Sequence, residues 1–467
     1  MSLLSVAAPL VKNGFSVKII DQRADDNWKE TLLKELKEKP LFLGVSSKTG
    51  KQIMNALEAS KIAKENSSVP VVWGGVHPSL LPEETLRSEN VDFVIIGEGE
   101  FPALKLAEAI KNNQSPENIE GLGYKKYGKV FYNPQKTFVN LDELPDIPYH
   151  LVNINDYIDN FSFASGKPGR NIAFYTSRGC PHRCGFCYNK EFNKRKWRGE
   201  SAEKLVGRMK KMISDYGINA FEIEDDEFFV DMNRAKKVCE LILKDKLNIE
   251  IFTTCRINYV DQRMDDELLK LCLKAGFKSL AFGVESGSPK IQELMSKDIT
   301  NDQVFRTVKR LKDAGIGSKH YFILGTPTET IEDIYKTTDI IQKMKQIDNK
   351  IIIPECRIFT PYPGTELYAV AKVNGFKPPK KLEEWAFYDF KTVKMPWVTK
   401  KIRKIIENIN YSIRYLEMES ESSRKWYFRL GRIYGQTVNY RWKKHLLYFP
   451  EKSLIKSFLK IKRKIYG

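Results

Sequence analysis

Thr176-Ser-Arg-Gly-Cys-Pro-His-Arg-Cys-Gly-Phe-Cys-Tyr188 places Cys180, Cys184 and Cys187 in a Cys-x3-Cys-x2-Cys loop directly after an apolar run. Three thiolates this close in sequence can hold an iron–sulfur cluster. A 4Fe-4S cluster has four irons and ordinarily four protein thiolates, so a loop with three leaves one iron able to bind a further ligand. The loop therefore predicts a 4Fe-4S cluster with an open coordination site.

Three other interpretations of this loop are a structural zinc site, a disulfide pair and chance clustering. Structural zinc usually takes its four ligands from short Cys-x2-Cys pairs, and His182 points to no second pair in the sequence. The chain has seven cysteines, an odd number, and its N-terminus lacks the charged-then-apolar pattern of a secretory signal. These features disfavour a disulfide framework and favour the cluster.

The cysteine loop resembles the signature of the radical S-adenosylmethionine (SAM) enzymes, including the aromatic Phe186 just before the third cysteine. The resemblance implies that Cys180, Cys184 and Cys187 are the metal ligands and the catalytic centre. It also implies that the open iron binds the amino and carboxylate groups of SAM, which an electron from the cluster cleaves to a 5′-deoxyadenosyl radical. Phe186 would then lie near the adenine.

The length of 467 residues suggests two or three domains. Residues 1–125 alternate helical and strand patterns and predict an α/β domain with a doubly wound parallel sheet. Residues 126–170 read as a linker, residues 171–370 as six strand–helix units, and residues 371–467 as a basic, aromatic-rich helical region. The six units resemble the open, partial (β/α)6 barrel of the radical SAM fold.

The N-terminal region has small or polar residues after three predicted strands, at positions 44–50, 74–78 and 97–100. Glycines there let the backbone approach a bulky ligand closely, although tight turns also use such residues. Together the segments resemble the cobalamin-binding domain that precedes many radical SAM barrels. The resemblance implies cobalamin contacts from Ser46, Ser47, Thr49, Gly74, Gly75, His77, Gly97, Glu98 and Gly99.

Two features depart from that domain. The Asp-x-His-x-x-Gly motif, which supplies a lower-face cobalt ligand in other cobalamin proteins, is absent, and His77 is in the wrong loop to replace it. The sequence also begins with a helix from Leu3 to Asn13 and then a strand from Ser16 to Asp21, whereas the family domain begins with a central strand. We therefore expect an N-terminally truncated domain with a gap in its sheet.

In barrels the active site lies at the carboxyl ends of the strands. Glu222-Ile-Glu-Asp-Asp-Glu227 ends the second predicted strand, and its five acids would repel one another unless basic or hydrogen-bonding groups lie nearby. A solvated turn is the simpler interpretation. The family resemblance instead implies that Glu224, Asp225 and Asp226 bind the amino group of SAM.

Three further strand ends resemble SAM-binding segments of the family. Arg256 would grip a carboxylate, Glu285 and Ser286 would face the ribose hydroxyls, and Gly325 belongs to a segment that packs on the adenine. Thr360-Pro-Tyr-Pro-Gly-Thr365 resembles cobalamin-dependent members, with Tyr362 facing the substrate or the corrin. As an alternative, Pro-Tyr-Pro-Gly is a good turn sequence in its own right.

The C-terminal region is strongly basic. Residues 424–467 contain thirteen Lys or Arg and one acid, Glu451, which is a net charge of +12 within the +18 of the whole chain. Such a segment, interleaved with aromatic residues, can bind anionic lipid surfaces or nucleic acid, or be the solvated face of capping helices. We favour the solvated face, keep peripheral membrane contact open, and regard nucleic acid as a disfavoured partner.

The combined pattern predicts a cytoplasmic radical SAM enzyme with three cofactors: a 4Fe-4S cluster, SAM and cobalamin. By family analogy it methylates or otherwise modifies an unactivated carbon of a small molecule, lipid, tetrapyrrole or natural product, and draws electrons from an external donor such as flavodoxin or ferredoxin. One alternative is a tRNA methylthiotransferase, which would need three more cysteines, whereas residues 1–179 contain none. A non-catalytic cobalamin and iron–sulfur binding protein is the other alternative.

Overall fold

The structure, a computed structural model, describes residues 2–388, 393–417 and 426–452, without the side chains of residues 417 and 426–432. Much of the predicted basic region, including residues 453–467, therefore lies outside the described residues. The chain divides into two compact units. The first comprises Met1–Thr254, Thr360–Lys372 and Lys377–Val393, and the second comprises Cys255–Phe359, Val373–Phe376 and Lys394–Gly467.

The first unit begins with a five-stranded sheet in the order β1-β2-β3-β4-β5. Strands β1 to β3 are parallel, and β4 and β5 continue the sheet as an antiparallel hairpin. The core between this sheet and the last of its helices contains Val72, Ile95, Leu106 and Leu122. The elements are α1 Ser2–Lys12, α2 Trp28–Lys37, β1 Leu43–Ser46, α3 Gln52–Asn66, β2 Val71–Gly74, α4 Val76–Leu80, α5 Pro82–Leu86, β3 Phe93–Ile95, α6 Glu100–Lys111, β4 Leu122–Lys126 and β5 Lys129–Tyr132.

The predicted strand from Ser16 to Asp21 is wrong, because these residues are irregular in the structure. A strand needs hydrogen-bonding partners, and no described strand pairs with this segment. Its apolar residues are buried in another way: Phe15 and Val17 pack against Leu10 of α1 and Leu104 of α6. The apolar side chains of this segment therefore pack against helices α1 and α6 instead of lying in a sheet.

The second sheet of the first unit has the order β11-β10-β7-β6, in which β7, β10 and β11 are parallel and β6 is antiparallel. Phe174 and Phe221 pack edge to face on neighbouring strands at 5.3 Å and fix their register in the core. A short ribbon, β8 with β9, carries the start of the cysteine loop. The elements are β6 Ile158–Phe161, β7 Pro168–Phe174, β8 Ser177–Arg178, α7 Asn189–Phe192, β9 Arg198–Gly199, α8 Ala202–Tyr216, β10 Ala220–Ile223, α9 Met232–Lys244 and β11 Glu250–Thr254.

The second unit continues the alternation with three parallel strands in the order β12-β13-β14. Its two long helices begin with capping boxes, at Thr300 with Gln303 and at Thr330 with Asp333, which satisfy backbone N–H groups that the helix leaves unpaired. The elements are α10 Ile257–Gln262, α11 Asp266–Lys274, β12 Phe277–Glu285, α12 Pro289–Leu294, α13 Asn301–Ala314, β13 Gly317–Leu324, α14 Ile331–Ile347 and β14 Arg357–Ile358.

The remaining elements follow the last strand. Helix α15 spans Glu366–Val373 and a 3₁₀ helix spans Leu382–Phe387. Helices α16, Lys400–Glu417, and α17, Trp426–Lys443, belong to the second unit. Among the described residues, none of the helices combines the length and the apolar character needed to cross a bilayer.

Candidate active site

Asp225 fixes the start of the cysteine loop. It is buried, and its two carboxylate oxygens accept hydrogen bonds from the backbone N–H groups and the hydroxyls of Thr176 and Ser177 at 2.6–3.0 Å. Arg234 donates to the carbonyl and the hydroxyl oxygen of Thr176 at 3.0 and 2.9 Å. Burial raises the pKa of Asp225, and the hydrogen bonds oppose that rise. The Asp225 carboxylate is therefore engaged with the protein itself and holds the loop.

The two acids beside it, Glu224 and Asp226, are exposed at the same strand end. Asp226 Oδ2 accepts a hydrogen bond from Gly179 N at 2.8 Å, and Glu224 accepts one from the Tyr175 hydroxyl. Burial and the bond to Glu224 raise the pKa of Tyr175, so the phenol remains a donor. Glu224 and Asp226 are the members of the acidic run that remain accessible to a cationic ligand.

The backbone of the loop is held at three further points. Gly179 has φ +86°, and a Cβ at this position would lie 2.0 Å from the carbonyl oxygen of Lys196, so the loop requires glycine there. Arg195 Nε donates to the carbonyl oxygen of Pro181 at 2.9 Å, and Leu367 N donates to the carbonyl oxygen of Gly185 at 2.9 Å. The loop is thus organised by the protein around it.

The three cysteines and Phe186 are all half-buried on this loop. Cys187 N donates to the carbonyl oxygen of Cys184 at 3.1 Å. Burial raises the pKa of the Cys187 thiol to about 12, and the neighbouring Cys184 and Cys180 add to the rise. Iron would reverse this effect, because the thiolate is the form that binds metal.

The donor set fits a 4Fe-4S cluster. Within the described residues, no three His, Cys, Asp or Glu side chains converge on one point suited to a metal ion. Each thiolate of a four-iron cluster binds a different iron, so its ligands surround the cluster at a distance from one another. Three neighbouring thiols on one fixed loop match that requirement.

A buried ion-pair cluster connects the cysteine loop with the N-terminal sheet, and we call its four members, Glu98, Glu100, Arg178 and Arg198, the Arg178 network. Arg178 Nη1 lies 2.8 Å from Glu98 Oε1, and its Nη2 lies 2.5 Å from Glu100 Oε1. Arg198 lies 2.8 Å from both oxygens of Glu98. Burial alone would lower the pKa of Arg178, but the two carboxylates hold it above its usual range.

This network determines what the loop after β3 can contact. Glu98 also accepts a hydrogen bond from Val139 N at 2.9 Å, so both of its oxygens are used within the protein. A Cβ at Gly97 would lie 2.0 Å from Gln135 Oε1, and one at Gly99 would lie 3.0 Å from Val6. Gly97, Glu98 and Gly99 therefore pack against the protein's own segments, while Gly97 and Gly99 stay partly exposed, and their contact with cobalamin stays a prediction.

The loops after β1 and β2 follow neighbouring parallel strands. Ser46 is exposed, and Thr49, Gly74 and Gly75 are partly exposed. Gly75 has φ +101°, and a Cβ there would lie 2.6 Å from the carbonyl oxygen of Ser47, so the two loops are in close contact. Glycine-rich backbone that is partly exposed suits a large planar ligand, so these two loops remain candidates for contact with a corrin.

Ser47 and His77 are buried between these two loops. The Ser47 hydroxyl and His77 Nε2 have no hydrogen-bond partner within the described part of the chain. His77 Nδ1 lies 3.0 Å from the Thr49 hydroxyl. Burial lowers the pKa of His77 to about 4, so its imidazole is neutral at pH 7.

In the second unit, Glu285 forms an ion pair with Lys297 at 3.0 Å, and both side chains are buried. Glu285 has φ +69°, an unfavourable conformation for a residue with a side chain. A Cβ at Gly283 would lie 2.0 Å from Glu285 Oε1, so glycine leaves space for the carboxylate. Arg256 donates to the carbonyl oxygen of Lys297 at 2.5 Å, and the three charged residues form one cluster.

Ser286 and Gly325 are also in this unit. Ser286 is buried, and its hydroxyl lies 3.3 Å from that of Thr337. Gly325 has φ +77°, donates through its N–H to Glu329, and accepts from Trp397 Nε1 at 2.8 Å. Burial raises the pKa of Glu329 to about 7, although its bonds to the Gly325 and Thr326 N–H groups oppose the rise.

Sequence reasoning missed Arg178, Arg198 and Trp385 as residues of this region. A signal existed for the first two, since Glu98 and Glu100 follow a buried strand and buried acids require basic partners. Trp385 has no comparable signal in the sequence, because its contacts are with residues far earlier in the chain.

Comparison with known proteins identifies a radical SAM region and a B12-binding region in this chain. The model of the Radical SAM superfamily matches residues 174–341, and that of the B12 binding domain matches residues 1–106. Uncharacterized methyltransferase PH0819 of Pyrococcus horikoshii is 34% identical over 376 residues, which cover 79% of this chain and 78% of the relative. Cytidylyl-2-hydroxyethylphosphonate methyltransferase of Streptomyces wedmorensis is 26% identical over 388 residues, 72% of each chain.

A solved structure shares the fold. The cobalamin-dependent S-adenosylmethionine radical enzyme OxsB, with aqua-cobalamin and SAM bound, superposes with a TM-score of 0.74 at 19% identity, covering 99% of this chain and 72% of that one. The fold and site define an enzyme with a 4Fe-4S cluster, SAM and cobalamin as cofactors. The chain belongs to the radical SAM superfamily, among the members that carry a B12-binding domain. The predicted fold class and cofactors are confirmed.

Proposed function

We propose that this enzyme transfers a methyl group from cobalamin to a carbon atom of a small organic molecule. One observation carries the proposal: the Arg178 network fastens the cysteine loop to the end of β3, within the same compact unit. The iron–sulfur loop and the carboxyl end of the B12-binding sheet are therefore built as one structure. An enzyme that combines the two cofactors in one reaction needs this arrangement.

We assign the residues as follows. Cys180, Cys184 and Cys187 hold the cluster, and the exposed carboxylates of Glu224 and Asp226 bind the ammonium group of SAM. Asp225 positions the loop through Thr176 and Ser177. When bound, the cluster supplies the electron that cleaves SAM, and cobalamin carries the methyl group.

The remaining site residues have separate roles. Ser46, Thr49, Gly74 and Gly75 contact the corrin, which fits their accessibility. In the second unit, Arg256, Glu285 and Lys297 form one charged cluster, and the SAM contacts predicted for Arg256 and Glu285 remain part of this proposal. Ser286 and Gly325 shape the backbone beside it. We propose a corrin domain at residues 1–125, a linker at 126–170, a barrel at 171–370 and a helical region at 371–467, with two adjustments. The N-terminal sheet continues through β5 to Tyr132, and the second sheet begins with β6 at Ile158.

The family acts on small molecules and needs a reductant. For this chain we propose a polar or anionic substrate and electron supply by a flavodoxin or a ferredoxin in the cytoplasm. Support comes from the charge of +18 and from relatives that include a methyltransferase named for a phosphonate nucleotide. The absence of cysteine from residues 1–179 leaves no ligands there for the second cluster of a methylthiotransferase.

The test is anaerobic reconstitution of the full chain with iron, sulfide and hydroxocobalamin, followed by desalting and metal analysis. We expect about four irons and one cobalt per chain, and production of 5′-deoxyadenosine from SAM under reducing conditions. SAM with a deuterium-labelled methyl group, supplied with a panel of phosphonates, tetrapyrroles and lipids, should label one class. A chain that holds iron but no cobalt would refute cobalamin-dependent methylation, and a Cys184→Ala variant controls for adventitious iron.

We also propose peripheral contact with anionic lipid through the second unit. Four large apolar side chains near its C-terminal end are 56–61% exposed, and exposed Lys443 and Lys444 lie in the same stretch. The four are Ile433, Tyr440, Leu446 and Tyr448. An exposed surface of this composition suits an anionic headgroup layer. Sedimentation with anionic and with neutral vesicles tests it: serine at the four positions should abolish pelleting with anionic vesicles, and unchanged pelleting would refute the contact.

A further inference from the structure

Trp385 connects three parts of the N-terminal domain. Its carbonyl oxygen accepts a hydrogen bond from Gly50 N at 3.1 Å, in the loop after β1. Its ring meets His77 edge to face, with the ring centroids 5.6 Å apart, beside the loop after β2. Its indole Nε1 donates to Glu84 in α5, and the side chain is 1% exposed. One residue from beyond the barrel therefore fixes both loops that fit a corrin.

The segment that carries Trp385, residues 382–388, also reaches a third loop of the first unit. The Tyr388 ring packs against Trp385 at 5.0 Å, and its hydroxyl donates to the carbonyl oxygen of Pro361 at 2.8 Å. The next residue, Tyr362, packs edge to face on Tyr188, which directly follows Cys187, at 6.1 Å. Packed aromatic contacts thus extend from the loops after β1 and β2 to the cysteine loop.

The arrangement of the two loops depends on this contact. His77 is fully buried, with Trp385 packed against its ring, and its Nδ1 is paired with Thr49. Without the indole ring, the His77 side chain would be more exposed. The hydrogen bond from Gly50 N to the carbonyl oxygen of residue 385 would also break more easily. Since His77 N donates to the carbonyl oxygen of Ser47 at 3.3 Å, movement of one loop would displace the other.

We propose that Trp385 is a positioning residue of the corrin site, which holds the loops after β1 and β2 in their binding arrangement before cobalamin arrives. The inference rests on the proposed function, which assigns the corrin to those loops. Loops that are already ordered lose less conformational freedom when they bind a ligand, and so bind it more tightly. Releasing them should weaken cobalamin binding and leave the iron–sulfur cluster in place.

The experiment measures the Kd for hydroxocobalamin by absorbance titration of the full chain with its cluster reconstituted. Trp385→Phe keeps an aromatic ring and loses the indole N–H. We expect its Kd to be about tenfold higher, because the net free energy of one hydrogen bond corresponds to about a tenfold change in an equilibrium constant. Trp385→Leu also loses the ring contact and should bind more weakly still. Glu84→Gln keeps an acceptor and should remain near wild type, whereas Glu84→Leu should reproduce Trp385→Phe and add nothing to it in the double variant.

Trp73→Phe is the matched control, because Trp73 also loses one indole hydrogen bond, to Ser60 at 2.8 Å, in the core of the same domain. It should bind cobalamin as wild type does, and all variants should retain wild-type iron content and the same EPR spectrum of the reduced cluster. Wild-type affinity in both Trp385 variants would overturn the inference, and so would equal weakening by Trp73→Phe. Failure of the wild-type chain itself to bind cobalamin would instead refute the proposed function.

Discussion

Replacement of Arg178 by methionine tests whether the Arg178 network organises the cysteine loop. Methionine keeps most of the length of the side chain and removes its charge. Glu98 would keep Arg198 as a partner, whereas Glu100 would lose its cation and keep the hydrogen bond from the Ser5 hydroxyl at 2.6 Å. Glu100 Oε2 already has no hydrogen-bond partner among the described residues, so the variant leaves a nearly isolated buried carboxylate.

The magnitude follows from burial. Removing one partner of a buried pair costs about 3–5 kcal/mol, and because the Arg178 side chain is 27% exposed we expect about 2–4 kcal/mol here. In the wild type, burial would raise the pKa of Glu100, but Arg178 holds it below its usual range. The charged form therefore stabilises the wild type above the unfolded pKa. Without Arg178 burial dominates, the pKa rises, and the variant should lose further stability as the pH rises from 5 to 8.

Urea unfolding of the anaerobic protein at several pH values measures this difference. Arg178→Met/Glu100→Leu should recover most of the lost stability, because an apolar replacement of a buried pair is often neutral. Arg306→Met is the control, since Arg306 forms a two-bond pair with Asp261 but is 57% exposed. We expect Arg178→Met, but not the control, to retain less iron after reconstitution. Equal effects of the two, or a pH-independent loss, would refute the reasoning.

Three further predictions concern residues of the two units. Asp225→Asn should lose about 1–3 kcal/mol and retain less iron on desalting, because an amide cannot accept all four hydrogen bonds from the loop. Gly179→Ala should lower both the iron content and the free energy of unfolding. Gly207→Ala, in helix α8 where a Cβ would meet no neighbouring atom, should raise the free energy of unfolding by up to about 1 kcal/mol. Equal shifts of the urea midpoint in the two variants would contradict this. Burial raises the pKa of Glu329 to about 7, so wild-type stability should fall as the pH rises from about 4.5 to 7. Glu329→Gln should reduce that fall in the free energy of unfolding by about 2–3 kcal/mol. Wild-type and variant stabilities that change in parallel with pH would refute the raised pKa of Glu329.

The sequence predicted most of the fold because its signals were local. Helix α1, predicted from Leu3 to Asn13, spans Ser2–Lys12 and ends as expected before Gly14, where φ is +77°. The cysteine loop was recognisable because three ligands and their aromatic neighbour lie in one short stretch. The strand from Ser16 to Asp21 failed because pairing is a tertiary property. An alternating segment becomes a strand when a partner strand is beside it, and otherwise buries its apolar side chains elsewhere.

The corrin residues could be predicted only as a group. Periodicity shows where each strand ends, and glycine shows where backbone can approach another group, but neither identifies that group. At Gly75 and Gly97 the close neighbours are Ser47 and Gln135, which belong to the protein itself. The structure adds that the Arg178 network engages Glu98 in the loop after β3, whereas Trp385 contacts the loops after β1 and β2. The partners of both are far away in the sequence.

The acidic run after β10 shows how one local pattern can serve two purposes. Successive residues at a strand end face opposite sides, so Asp225 and Glu227 are buried while Glu224 and Asp226 are exposed. The buried members accept hydrogen bonds from Thr176, Ser177 and Phe229, and this fixes the backbone that leads to the cysteines. The exposed members then present negative charge beside that fixed backbone, where a cationic ammonium group would be held. The repulsion expected among five neighbouring acids is relieved because each side of the strand end has its own donors. A run of acids that resembles a solvated turn in sequence therefore supports the cysteine loop on one side, and on the other side it presents the two carboxylates that we propose bind the ammonium group of SAM.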